Sequence, residues 1–134
     1  MPTFNNPAAD AAEAQQALRG LAHATRSIDD PGQIYSVLGS LSEAAASLGQ
    51  SLHQLAAFHD GPDRQWAGVT SDDRLGRAAF HQVSWELHRT GEILRQVAAS
   101  LDHAHEAEAS IAYDSRDLPL VTESPAIPSQ GLSL

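Results

Sequence analysis

Residues 34–55, IYSVLGSLSEAAASLGQSLHQL, decide the fold, because their apolar and small residues recur at alternating steps of four and three. This spacing places the side chains on one stripe of an α-helix, and a period near 3.5 suits helices that pack side by side. The stripe consists of Ile34, Leu38, Leu41, Ala45, Leu48, Leu52 and Leu55.

Two flanking segments carry the same pattern and predict two further helices. Their stripes are Ala11, Ala14, Leu18, Leu21, Thr25 and Ile28 in the first, and Phe80, Val83, Leu87, Thr90, Leu94, Val97, Leu101 and Ala104 in the third. The predicted helices span about residues 7–28, 31–60 and 71–110. Short connections favour antiparallel neighbours, so we predict an all-α, coiled-coil-like three-helix bundle over residues 1–113.

Capping residues support these boundaries. Asn6 and Pro7 suit the N-cap and first turn of the first helix. Asp30 with Gln33 resembles a capping box for the second helix. The third helix is the longest, so its carboxyl-terminal part is expected to fray or to be covered by another chain. Residues 114–134 are polar, contain prolines and show no periodicity, which predicts a disordered tail.

Composition excludes several classes of protein. The 134-residue chain has a net charge of −9, no cysteine, and eight basic residues that are all scattered arginines. Disulfides, thiolate metal sites and cysteine catalysis are therefore excluded. The acidic charge argues against nucleic-acid or anionic-membrane partners, which need clustered basic residues.

The expected location is the cytoplasm. No apolar run approaches the roughly 20 residues of a membrane span. The first six residues show no basic head followed by an apolar stretch, so no cleaved signal peptide is expected. Secretion without a cleaved signal is the alternative.

A second stripe of small residues accompanies the predicted seam of the second helix. It consists of Gly39, Ser42, Ala46, Gly49, His53 and Ala56. Small residues allow a neighbouring backbone to approach closely, and each helical glycine costs about 1 kcal/mol relative to alanine. Either another helix of the same chain fills this groove, or a second copy or partner helix does.

Trp85 is predicted to point outward from the third helix, with His81, His88 and Arg89 three or four positions away. An exposed tryptophan beside histidine and arginine is typical of an interface anchor. The alternative is that Phe4, Trp66 or the tail covers it.

Metal binding and catalysis have little support in the sequence. The seven histidines form neither HExxH nor facing ExxH motifs, so we predict no metal or cofactor. There is no glycine-rich phosphate loop and no GxSxG motif. We therefore expect a non-enzymatic adaptor or accessory protein that acts through its helical faces as an oligomer, most simply a homodimer.

Two short motifs suggest a more specific alternative. Trp66-Ala67-Gly68 lies between two long helices, and Tyr113 and Asp117 follow the last one. This layout resembles the WxG helical-hairpin substrates of type VII secretion, which carry WxG at the bend and YxxxD/E after the second helix. The additional amino-terminal helix departs from that family. The resemblance implies a substrate or partner of a type VII-like secretion system.

A second resemblance concerns residues 21–26, LAHATR, and 55–59, LAAFH. These segments are similar to uncharacterised helical proteins encoded on actinobacterial mobile elements. That similarity implies an accessory role and no activity.

Overall fold

The computed structural model describes residues 1–61 and 73–113, and these residues form three α-helices without β-strands. The helices are α1 (Pro7–Ala24), α2 (Gln33–Asp60) and α3 (Asp73–Glu108). The predicted all-α class is confirmed. The predicted tail, Trp66, Gly68 and Asp117 lie outside the described residues.

The start of α1 follows the sequence prediction. The Asn6 side chain accepts a hydrogen bond from the Ala9 N–H at 3.1 Å, and Pro7 is the first helical residue. Asp10 accepts the N–H groups of Thr3 at 2.7 Å and Phe4 at 3.2 Å, and the Thr3 N–H contributes most to keeping the pKa of Asp10 below its usual value. These bonds hold Phe4 at φ 62°, in the left-handed region.

The end of α1 and the start of α2 differ from the prediction. Helix α1 stops at Ala24, and its C-cap residue Thr25 donates both its N–H and its hydroxyl to the Leu21 carbonyl at 2.9 Å. Gly32, not Asp30, is the N-cap of α2, and it makes no side-chain capping bond. Gly32 has helical φ and ψ of −62° and −20°, so the chain enters α2 without the extended N-cap geometry of a capping box.

Helices α2 and α3 pack as an antiparallel hairpin. Tyr35, near the start of α2, stacks on His105, near the end of α3, with ring centroids 4.0 Å apart. At the opposite end, Asp60 accepts a hydrogen bond from His88 at 2.9 Å. The prediction that the carboxyl-terminal part of α3 lacks cover within the chain is therefore wrong, because the first turn of α2 lies against it.

The predicted seams are half right. One column on each helix faces the partner helix as expected and is buried or half-buried, namely Leu38, Ala45 and Leu52 on α2 and Phe80, Leu87, Leu94 and Leu101 on α3. The other column is exposed on α3, and on α2 it is half-buried at Ile34 and Leu41 but exposed at Leu48 and Leu55. Leu48 is 48% and Val97 39% exposed, whereas the neighbouring Gly49 and Ala98 are buried. The residues of this column that contact the partner helix are therefore one position later in the sequence than predicted, at Gly49 instead of Leu48 and at Ala98 instead of Val97.

Candidate functional site

The sequences of α2 and α3 form an internal repeat with an offset of 42 residues. Leu52, Gln54 and Ala57 recur as Leu94, Gln96 and Ala99. The contact residues recur in the same way: Ser42, Gly49, Ala56 and Asp60 on α2 match Ser84, Gly91, Ala98 and Asp102 on α3. Because the helices are antiparallel, the matched residues give the hairpin an approximate two-fold symmetry about its middle.

Glycines form the closest approach at the middle of the hairpin. A Cβ atom on Gly49 would lie 3.4 Å from the Gly91 carbonyl oxygen and 3.5 Å from the Leu94 Cβ. A larger side chain at position 49 would therefore push the backbones apart. Helix α3 of the same chain thus fills the groove predicted on α2, and Gly49 is not available as an intermolecular contact.

A serine–aspartate hydrogen bond joins the two helices at each end of the hairpin. The buried Ser84 hydroxyl donates to Asp60, which we call the Asp60 clasp. The buried Ser42 hydroxyl donates to Asp102 and to the Ala98 carbonyl at 3.2 Å, which we call the Asp102 clasp. Within the described residues, every buried side-chain nitrogen or oxygen has a partner. Both hydroxyls are therefore satisfied inside an otherwise small-residue contact.

Each helix also places an imidazole over a glycine of the other helix. A Cβ on Gly91 would lie 2.8 Å from the His53 ring, and one on Gly39 would lie 3.0 Å from the His105 ring. Gly39, a predicted interface residue, is thus covered by His105, which is itself stacked on Tyr35. The absence of side chains at both glycines lets the Nε2 edge of each ring approach the opposite helix closely.

Only the Asp60 clasp is extended by further imidazoles. His88 donates from Nε2 to Asp60 Oδ2 at 2.9 Å, and its Nδ1 lies 3.2 Å from Nδ1 of His53. The Ser84 hydroxyl first, and His88 second, keep the pKa of Asp60 below its usual value. At the symmetric positions of the other end, Ala46 replaces His88 and Arg95 replaces His53. The two ends therefore share a clasp but differ in proton-binding groups.

Trp85 and its neighbours form a surface beside the Asp60 clasp. Trp85 is 60% exposed, and the Arg89 guanidinium carbon lies 5.3 Å from its ring centroid. An open cleft of about 600 Å³ brings together Asp60, His81, Gln82, Ser84, Trp85 and His88. The predicted grouping of Trp85 with His81, His88 and Arg89 is thus found on one surface. Of the residues considered as covers for Trp85, Phe4 is itself 91% exposed, and Trp66 and the tail lie outside the described residues.

A second cavity, of about 450 Å³, lies along the same flank of the hairpin. Ala46, His53, Gly91 and Arg95 are among its lining residues. The predicted interface residue Ala46 is therefore exposed on the flank that carries the imidazoles, not in the contact between the helices.

The opposite flank of the hairpin is apolar. The residues that precede Ser42, Gly49 and Ala56 on α2, and their repeats Ser84, Gly91 and Ala98 on α3, lie on this flank, because antiparallel helices bring equivalent positions to the same side. We define the apolar face as Leu41, Leu48, Leu55, Phe58, Val83, Thr90, Ile93 and Val97. Leu41 is half-buried, and the other large side chains of this face are exposed, from 39% at Val97 to 52% at Phe58. Formal charges are absent from these eight positions, and Glu86 borders them.

The polar flank is held together by hydrogen bonds among Asp60, Ser84, His88 and His53. Ser84 donates to a carboxylate and not to an imidazole, so it lacks the nucleophile–base contact that activates a serine. In residues 1–61 and 73–113, no three His, Asp or Glu side chains are arranged to hold a metal ion. None of the helices in those ranges is both long and apolar enough to cross a membrane.

The sequence patterns did not identify Asp60 and Ser84 as site residues. They placed His53 in the small-residue groove of the second helix, without its contact to His88. The 42-residue repeat was the signal that identifies them, because it pairs Ser84 with Ser42 and Asp60 with Asp102. No protein-family model, curated protein or solved structure matches this chain. Function is therefore inferred from the chain's own residues.

Proposed function

We propose that this chain is a non-enzymatic helical interaction protein, an adaptor or accessory factor, that acts through the outer faces of the α2–α3 hairpin and self-associates as a homodimer. The observation that supports it is the apolar face. Leu48, Leu55 and Phe58 are each about half exposed, at 48%, 49% and 52%. Contiguous exposed apolar side chains of this kind mark interaction surfaces.

The length of the apolar face sets the size of the possible contact. From Leu41 to Phe58 a helix extends about 26 Å, and two adjacent helices are about 20 Å wide. The resulting area of roughly 500 Å² is smaller than the roughly 800 Å² that each partner buries in a standard complex. A self-complementary contact of this area suits a weak, symmetric pair of hairpins.

Charge favours a second copy as the occupant of this face. The chain carries a net charge of −9, yet the eight positions of the apolar face are uncharged. Apart from the bordering Glu86, two copies can therefore meet there without bringing like charges together. The repeated pattern of α2 and α3 also makes the face similar to itself after a two-fold rotation. Trp85 with His81, His88 and Arg89 remains a separate surface for a protein partner.

Sedimentation of the full chain with Leu48→Glu tests this proposal. Wild type is expected at twice the chain mass of 14.2 kDa at micromolar concentration. Leu48→Glu places a charge in the apolar face and should give a monomer with unchanged helicity. The matched control is Ser47→Glu, which adds the same charge at an exposed neighbour and should remain dimeric.

Two outcomes would contradict it. A wild-type monomer at all concentrations removes the homodimer. If Leu48→Glu and Ser47→Glu associate equally, the apolar face is not the contact. A third outcome is a monomeric wild type that captures partner proteins, which Leu48→Glu loses and Ser47→Glu keeps. The interaction function would then stand, with another protein in place of the second copy.

The alternative is a WxG-like substrate or partner of a type VII-like secretion system. Helices α2 and α3 form a helical hairpin, and Tyr113 lies in the segment that follows the end of α3 at Glu108. Tyr113 donates its hydroxyl to Glu108, which raises its pKa. Loss of export on Tyr113→Ala, with retained export of Tyr113→Phe, would favour this alternative and a secreted location over the cytoplasm.

A further inference from the structure

We propose that the His53–His88 pair makes the Asp60 end of the hairpin a proton-operated clasp, which opens in mild acid when both rings are protonated while the Asp102 end stays closed. The proposal concerns the polar flank and is independent of the apolar face. It starts from the short contact between the two Nδ1 atoms, at 3.2 Å.

A hydrogen bond between two imidazole nitrogens requires one donor and one acceptor. His88 already donates from Nε2 to Asp60. With both rings neutral, His53 donates from Nδ1 to the Nδ1 lone pair of His88. One added proton converts His88 to a cation that donates to both Asp60 and a neutral His53. The contact therefore survives the binding of one proton.

The second proton removes the hydrogen bond. Both Nδ1 atoms are then donors, and two positive rings face each other at contact distance. Asp60 is a single carboxylate already shared with Ser84 and His88, so it cannot compensate both charges. The clasp is therefore expected to open when the second proton binds.

The surrounding charges support this assignment. From α2, Asp60 and His53 face His88. From α3, His81 lies in the same cleft as Asp60, and Arg95 lines the same cavity as His53. Glu92, four residues after His88 on α3, forms an exposed ion pair with Arg95 at 3.7 Å. The second proton, on His53, therefore meets Arg95 and the cationic His88 on α3.

Opening has a local structural consequence. The His53 ring lies against Gly91, where even a Cβ would come within 2.8 Å of it. Repulsion from His88 moves the ring off Gly91 and uncovers the backbone there. The Asp102 clasp has Ala46 and Arg95 at the equivalent positions, so it contains no imidazole pair to respond. The Asp102 clasp therefore serves as an internal control for the acid response of the Asp60 clasp.

The test is a pH titration of the full chain from 7.5 to 5.0 by nuclear magnetic resonance. The nitrogen shifts of the imidazole rings report protonation, and amide exchange, corrected for its intrinsic pH dependence, reports opening. The pKa of Asp60 lies below its usual value, mainly because of the Ser84 hydroxyl, so Asp60 stays ionised in this range. Amides of residues 56–60 and 84–91 are expected to lose about tenfold of their protection, the effect of one lost hydrogen bond. Amides of residues 42–46 and 98–102 should not change.

Two variants complete the test. His53→Gln keeps a hydrogen-bonding side chain that does not titrate, so it should abolish the acid response at the Asp60 end. His103→Gln, at an exposed position on α3, should respond like wild type. Equal loosening at both ends, unchanged protection with both rings protonated, or a His53→Gln response equal to wild type would each overturn the proposal.

Discussion

The inner and outer columns of the α2–α3 hairpin differ in a way that reverses the usual order of side-chain size. Buried small residues, such as Gly49 and Ala98, form the contact between the helices, whereas Leu48 and Val97 beside them stay 48% and 39% exposed. Small residues occupy the contact between the helices because they let the two backbones approach to van der Waals distance. The larger side chains are thereby directed to one flank, where they are available to another molecule.

Gly49→Leu should break this arrangement with the largest effect. Its branched side chain would meet the Gly91 carbonyl and the Leu94 side chain, where a Cβ alone already reaches 3.4 Å and 3.5 Å. We expect a loss of about 3 kcal/mol in the free energy of unfolding, measured by urea denaturation.

Gly49→Ala is the matched control. Its added Cβ makes ordinary contacts, and alanine gains up to about 1 kcal/mol of helix propensity over glycine. The variant should be as stable as wild type or slightly more so. A Gly49→Leu protein that melts like wild type would show that the backbones are not in close contact.

A pair of leucine truncations sharpens the same comparison at smaller scale. Leu52→Ala removes a half-buried side chain from the inner column and should cost about 2 kcal/mol. Leu48→Ala, on the apolar face, should cost less than about 1 kcal/mol when measured on the monomer at low concentration. Equal costs would mean that both columns are buried and that the register derived from sequence was right.

The smallest effect concerns the Asp60 clasp. The pKa of Asp60 lies below its usual value, so the unfolded chain binds a proton more readily than the folded one. The contribution of Asp60 is present above pH 4 and is lost as pH falls through its folded pKa. Asp60→Asn should therefore flatten the fall in the urea midpoint between pH 5 and pH 2.

Glu43→Gln, at an exposed position of α2, is the control for this measurement and should keep the wild-type pH profile. A profile of Asp60→Asn that matches wild type would show that the contacts of Asp60 with Ser84 and His88 do not persist in solution.

The sequence predicted part of the candidate site. Trp85, His81 and His88 were placed on one surface by helical spacing alone, since residues three or four apart share a face. Asp60 was invisible to that reasoning, because its partners Ser84 and His88 lie 24 and 28 residues away on another helix. Spacing within one helix carries no information about which residue of another helix lies opposite.

The sequence by itself determined the number of helices, the N-cap of α1 at Asn6 and the heptad period. These depend on local hydrogen bonding and on side-chain spacing along one chain segment. Only the tertiary structure decided which column of each heptad is buried. That choice depends on how closely two backbones can approach, and the glycines at positions 49 and 91 set this distance only when they lie opposite each other.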